Sequence, residues 1–376
     1  MKILVIDNTN MPYQNNKSSG GVETLVRIQL ELLSQEHEID FMTSYDSEEC
    51  DISNVVTRRF FPYSKMSKLN DMSSLDRNKA INKFLSELLI SNRYNIAINH
   101  SQSNNSIVKT LSKYDTPSIT YAHNAVEVIG GIAGLEYVNV LSKYYESGGL
   151  VVNMSRTSMM AWSKYAANKE KACDPFTTYH YAYAAKNQPA FQEKKDNGIM
   201  ATRISESKRI VAVVRMHEKA KKNLTLCYVF PRTVDEEEYF KKVEKEVIIT
   251  SLKNDLCREE LNKEIESSSY MIVAGPEGFP ISPIESVLSG SFILLLSSKE
   301  SHPVMELGEI IDYPKAIYRE TDSLNNMPSF LDSDRIEMAN KAYDFFNYEK
   351  AYVRLMEVIN KAVIHKNSIV KTGFDL

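Results

Sequence analysis

The sequence predicts an α/β fold in two domains, on two observations. Short apolar runs of strand length alternate with longer stretches whose apolar residues recur at helical spacing. That alternation is the signature of parallel sheets covered by helices. The chain's 376 residues also exceed the size of an ordinary single domain. Hydrophobic residues at 43% and charged residues at 25% suit a globular protein with a sizeable core.

The chain opens with Lys2-Ile-Leu-Val-Ile6, a continuous apolar run expected of a strand buried on both faces. Ser18-Ser-Gly20-Gly21-Val-Glu23 then reads as a glycine-containing loop, where a backbone can approach a ligand that any side chain would obstruct. Val22, Leu25, Val26, Leu30 and Leu33 put one apolar face on a helix over 22–34. Further strands are expected at 38–43, 95–99, 117–122 and 149–153. Residues 170–208 break the alternation with Pro175, Pro189 and the polar run 192–197. An N-terminal domain is therefore placed at 1–185 and the interdomain connection at 186–208. The second domain, 209–347, is read with strands at 210–214, 247–251, 270–274 and 292–296. Residues 332–362 are helix-like, and 348–376 is assigned as a C-terminal helix.

The most informative window is Glu277-Gly278-Phe279-Pro280-Ile281-Ser282-Pro283-Ile284-Glu285, which follows the apolar run Tyr270–Ala274. Ser282, Pro283 and Glu285 read as N-cap, N1 and N3 of a helix closed by a capping box. A strand followed by a helix N-terminus makes an anion site, because free N–H groups point outward there. Carboxylates beside it suit sugar or ribose hydroxyls, which they bind as acceptors. On these residues alone, Glu285 as a mere capping residue and Glu277 as a solvated one stay equally open.

The window resembles the Glu-x7-Glu motif of retaining glycosyltransferases with the GT-B fold, especially family four. The continuation Ser286-Val-Leu-Ser-Gly290 and the strand-like Ser291–Leu296 resemble that family too. So do the opening strand, the Gly20-Gly21-Val-Glu loop and His37-Glu. The resemblance implies two Rossmann-like domains facing across a cleft, with the last helix crossing back to the first domain. It places Glu285 at the ribose of a nucleotide sugar and Glu277 near the transferred sugar. Gly278 to Ser282 would lie along the sugar's hydroxyls and phosphates, with Gly20 and Gly21 also on the donor. Within 210–223, Arg215 and Lys221 match the family's Arg and Lys, which would neutralise the leaving diphosphate. Lys219 and Lys222 read as solvated, and Lys221-Lys222 replaces the family's usual Lys-Gly pair. His123, after the run Pro117–Ala122, corresponds to a family histidine that faces the donor sugar. By residues alone, a histidine after a strand is more often structural. His100 and Asn124 are acceptor-side candidates, and Ser155 is explained equally well as an N-cap.

The implied reaction transfers a sugar from a nucleotide diphosphate to a hydroxyl, with retention and with no cofactor or metal required. The formal net charge of −4 leaves polyanion binding to a local patch. Cys50, Cys173, Cys227 and Cys257 show neither disulfide pairing nor metal spacing, as expected of reduced thiols. With no signal-like or spanning segment read, a cytoplasmic protein is expected, in the host cytoplasm if phage-encoded.

Two acceptors stay open. One is a bacterial surface glycan or lipid-linked sugar. The other, towards which the reading leans, is a 5-hydroxymethylated pyrimidine in bacteriophage DNA. Abundant Lys, Asn, Ser, Ile and Tyr against 13 Gly and 12 Pro suit an AT-rich genome. A loop holding Arg58, Arg59, Lys65 and Lys68 among Phe60, Phe61 and Tyr63 suits phosphates and a displaced base, an anionic lipid surface, or an ordinary surface loop with a partly buried aromatic cluster. A contracted segment between 224 and 262 departs from the usual bacterial pattern. From another class, a sugar-nucleotide epimerase or an inactive glycan-binding scaffold of this fold is the alternative.

Overall fold

The computed structural model describes residues 1–7, 13–15, 21–60, 74–101, 104–129, 131–168, 173–188, 190–229, 234–246, 250–254, 256–276, 281–296, 302–319, 324–327 and 329–372. The chain divides into two compact units, one of Met1–Asn15, Gly20–Ala182 and Ala351–Leu376, the other of Tyr183–Lys350.

The first unit is a seven-stranded parallel sheet. Its strands are β1 (Lys2–Ile6), β2 (Glu38–Ser44), β3 (Val55–Phe60), β4 (Ile96–Asn99), β5 (Ser118–Ala122), β6 (Gly149–Asn153) and β7 (Thr178–Tyr179). They lie in the order β3-β2-β1-β4-β5-β6-β7. Its helices are α1 (Gly21–Leu33), α2 (Ser74–Ser91), α3 (Asn105–Leu111), α4 (Val126–Ile129), α5 (Gly131–Glu146) and α6 (Arg156–Ala167). Residues of β4, β5 and β6 are buried throughout, which is why those strands read as unbroken apolar or small-residue runs. The helices' buried faces and Trp162 complete the core. Ser155 caps α6, its hydroxyl accepting from the Ser158 N–H at 3.0 Å.

The second unit is a six-stranded parallel sheet of β8 (Lys195–Arg203), β9 (Asn223–Val229), β10 (Thr250–Asn254), β11 (Ser268–Val273), β12 (Phe292–Leu295) and β13 (Ile317–Arg319). The order is β10-β9-β8-β11-β12-β13. Its helices are α7 (Ile210–Ala220), α8 (Val234–Glu246), α9 (Arg258–Ser267), α10 (Ile281–Leu288), α11 (Met305–Ile310) and α12 (Asp332–Phe346). Gly290 follows α10 at φ 80°, the left-handed conformation that ends a helix at least cost when the residue is glycine. The last helix, α13 (Tyr348–Thr372), returns to the first unit as expected. There the Lys366 ammonium donates to the Tyr114 and Ser147 carbonyls, and His365 stacks on Tyr145.

Two expectations are overturned by the fold. Residues 210–214 are the start of a helix, because Ile210, Val213, Val214 and His217 are the buried positions of α7 and follow the 3.6-residue period. The strand that precedes this helix is β8, inside the stretch read as connection. Its polar start, Lys195-Asp-Asn197, hid it, and only Gly198, Ile199 and Met200 of the strand are buried. The stretch 224–262 holds β9, α8, β10 and the first half of α9.

In each parallel sheet the chain leaves a central strand in opposite directions, giving a switch point between β1 and β4 and another between β8 and β11. Ligand crevices of open α/β sheets form at the carboxyl ends of strands at such points. No helix of the described residues is long and apolar enough to cross a membrane.

Candidate functional site

At the switch point of the second sheet, β8 ends in Arg203, and the chain turns through 204–209 into α7. That turn lies against the end of β11. A Cβ on Gly275 would meet the Ser207 carbonyl oxygen at 2.6 Å and Lys208 Cδ at 2.8 Å, so only glycine allows the approach. The Lys208 ammonium donates to the Pro276 carbonyl at 2.8 Å, and the buried His302 holds the Gly275 carbonyl at 3.1 Å. Arg203 and Arg209 are exposed on the same edge, with Arg209 reaching the Leu296 carbonyl at 3.4 Å.

Glu285 is on α10, the helix after β11, and is only 8% exposed. Its Oε1 is ion-paired with the Arg258 guanidinium from the start of α9 and accepts from the Tyr183 hydroxyl at 3.3 Å. Its Oε2 is buried without a hydrogen-bond partner. Burial lowers the Arg258 pKa and raises that of Tyr183. The expected capping box is not formed. The helix begins at Ile281, so Ser282 lies within its first turn, and Pro283 sits where a missing N–H is tolerated. Glu285 therefore spends its carboxylate on side chains from distant parts of the unit. Glu277, Gly278, Phe279 and Pro280 lie outside the described residues, as do Gly20, Lys65 and Lys68. Gly21 is the exposed first residue of α1.

Arg215 and Lys221 lie on α7 beyond its first turn. Arg215 is on the outer face of α7, 65% exposed and paired with Glu246 at 2.5 Å. It lines an open groove with Arg209, Tyr239 and Lys242. Lys221 is the left-handed C-cap of α7. A crossover helix runs antiparallel to its strands, so this cap lies roughly 16 Å down the helix from the carboxyl edge. The basic groups at the edge itself include Arg203, Lys208 and Arg209, missed because the start of the following helix was read as the strand.

In the first unit, the carboxyl ends of β4, β5 and β7 bring three histidines together. His100 Nε2 lies 3.0 Å from Gln29 Oε1 of α1, and His100 Nδ1 lies 3.1 Å from His123 Nε2. Tyr121 stacks on His100 with ring centroids 4.8 Å apart, and its hydroxyl lies 2.8 Å from His180 Nδ1. Burial lowers all three histidines, His100 well below its ordinary value and His123 and His180 to about 3. The rings are therefore neutral at neutral pH. Asn124 follows at the end of β5, where its carbonyl accepts from the Trp162 indole at 3.0 Å. Gln29 escaped notice, although a glutamine in the apolar stripe of Leu25, Val26, Leu30 and Leu33 was a legible signal.

Arg58 and Arg59 are strand residues of β3 rather than loop cations. Arg58 is bound to the buried Asp40 at 2.9 Å and Arg59 to Glu49 at 2.8 Å, while Phe60 is core. Among the described residues no three His, Cys, Asp or Glu side chains gather as a metal-ligand group. The Asp332-Ser-Asp334 run lies in the first turn of α12, and Asp334 accepts from the Tyr313 hydroxyl at 3.2 Å.

No protein-family model and no curated protein matches the sequence. Solved structures do match the fold along almost the whole chain. AviGT4, a glycosyltransferase involved in avilamycin A biosynthesis, aligns at TM-score 0.60 with 12% identity, covering 96% of this chain and 98% of its own. HepE of Anabaena in complex with UDP aligns at 0.62 with 12% identity, covering 96% and 100%. Trehalose-6-phosphate synthase OtsA aligns at 0.60 with 13% identity, covering 100% and 98%. Two parallel-sheet α/β units aligned over such lengths give this chain the GT-B fold of those glycosyltransferases.

Proposed function

We propose that the protein is a glycosyltransferase whose second unit binds a nucleoside-diphosphate sugar. The observation that carries this reading is Glu285, a buried carboxylate beside the switch point with Oε2 lacking a partner. A buried acceptor left unmet is costly, and a ribose hydroxyl is the kind of donor that would satisfy it. HepE was solved with UDP and with UDP-glucose, which favours a uridine donor. Arg203, Lys208 and the N-terminus of α10 are proposed to take the diphosphate, in place of Arg215 and Lys221. Negative charge grows there as the sugar leaves, and preorganised cations lower the barrier most where charge develops. Glu277 keeps its proposed place near the transferred sugar, and His123 its place at a sugar hydroxyl. Retention at the anomeric carbon, implied by the family-four resemblance, is part of the proposal.

The acceptor is proposed to be a carbohydrate hydroxyl. The two arginines that recommended DNA are committed to Asp40 and Glu49, so the patch loses half its named cations. A panel of UDP-, GDP- and ADP-sugars, each offered simple glycans, hydroxymethylated DNA or unmodified DNA and read by mass spectrometry, tests this. Transfer to a glycan supports the reading, and transfer to hydroxymethylated DNA alone replaces the acceptor while keeping the reaction. Conversion of the donor without any acceptor would make the protein an epimerase. Donor binding without turnover would leave a scaffold.

A further inference from the structure

The side chains at the carboxyl edge of the first sheet restrict where protons can sit. An amide oxygen only accepts, so Gln29 Oε1 at 3.0 Å requires a proton on His100 Nε2. A neutral imidazole carries one proton, so His100 Nδ1 is then an acceptor. The group facing it is His123 Nε2 at 3.1 Å, which must therefore donate. His123 is left with an unprotonated Nδ1 that has no hydrogen-bond partner among the described residues. We infer that Gln29 and His100 are positioning residues that hold His123 as its Nε2–H tautomer, so that Nδ1 offers a lone pair to a hydroxyl of the sugar substrate. Only the identity of that hydroxyl's owner rests on the glycosyltransferase reading.

The relay starts from the amide orientation, with Gln29 Oε1 facing His100. In that orientation the Gln29 nitrogen is buried without a hydrogen-bond partner. A reversed amide would turn its nitrogen to His100 and reverse the relay, leaving Nδ1 of His123 protonated, so the tautomer itself reports the amide orientation. The stack of Tyr121 on His100 and of His100 on His123, with centroids 4.8 and 5.3 Å apart, fixes the ring planes. Burial keeps both rings neutral, as the relay requires. His123 so arranged accepts a hydrogen bond at its outer nitrogen and has no proton there to give. It orients a hydroxyl and does not act as a general acid.

The test is the nitrogen spectrum of the ligand-free protein with ring-labelled histidine at near-neutral pH. His123→Gln and His100→Gln spectra assign the peaks. The expected pattern is protonated Nε2 and unprotonated Nδ1 on His123. Gln29→Leu should move His123 towards a mixture of tautomers while the Trp162 emission and backbone dichroism stay unchanged. Gln29→Glu keeps an acceptor and should restore the wild-type pattern. A protonated Nδ1 in the wild type overturns the inference, as does an unchanged His123 pattern in folded Gln29→Leu. If Gln29→Leu does not fold, the wild-type and Gln29→Glu spectra decide. A failed transfer assay would remove the sugar from the proposal and leave these spectra as they are.

Discussion

His180 makes the first unit lose stability in acid at a calculable rate. It is 4% exposed beside Tyr121, and burial brings its pKa to about 3, against about 6.5 for an unfolded histidine. Because the folded value is the lower one, the unfolded chain takes up the extra proton. The ring's contribution is therefore complete above about pH 6.5 and is lost as pH falls towards about 3. Between about pH 6.5 and about pH 5, one such ring removes roughly 1.6 kcal/mol of unfolding free energy. His100, lowered in the same direction, adds to the loss. His180→Gln removes the titration while keeping an acceptor for the Tyr121 hydroxyl. Urea unfolding is followed by the emission of Trp162, the chain's single tryptophan, which is buried in the same unit. The variant should lose roughly 1.6 kcal/mol less than the wild type over that interval, whatever its stability at neutral pH. An equal loss in both would show that His180 titrates alike in the folded and unfolded chain and would refute the reasoning.

Glu285→Gln should weaken UDP binding roughly 10- to 100-fold, the worth of a charge-assisted hydrogen bond at about 1.5–3 kcal/mol. Calorimetric titration measures this, and a thermal melt reports separately the loss of the Arg258 pair. Arg203→Ala and Lys208→Ala should lower kcat for transfer from UDP-glucose, whereas Arg215→Ala, on the outer face of α7, should leave turnover unchanged. Steady-state kinetics of the three variants settles which edge carries the diphosphate. Arg58→Ala should cost about 1–3 kcal/mol in urea unfolding by taking a donor from the buried Asp40. It should leave the salt dependence of any DNA binding unaltered, as measured by titration at several ionic strengths.

What the sequence determined alone was mostly local. β1, β4, β5 and β6 were legible because a strand buried on both faces must be apolar or small along its whole length. α1 was legible from its stripe, and the helix carrying Glu285 from its position after β11. Where local signals misled, the period was misread. The run 210–214 looked like a strand until Val213, Val214 and His217 are seen to share one face of α7 with Ile210. Partners were beyond the reach of pattern. Glu285 meets Tyr183 from 102 residues away, and His100 meets Gln29 across 71. Strand order and helix crossovers alone decide such meetings. The same holds for Arg58, whose charge suggested phosphate until β3 paired beside β2 and brought it to Asp40. Sequence pattern specifies which face of an element is buried. Only the assembled sheet determines which polar groups are buried together, and with them the proton positions and charges that a substrate would encounter.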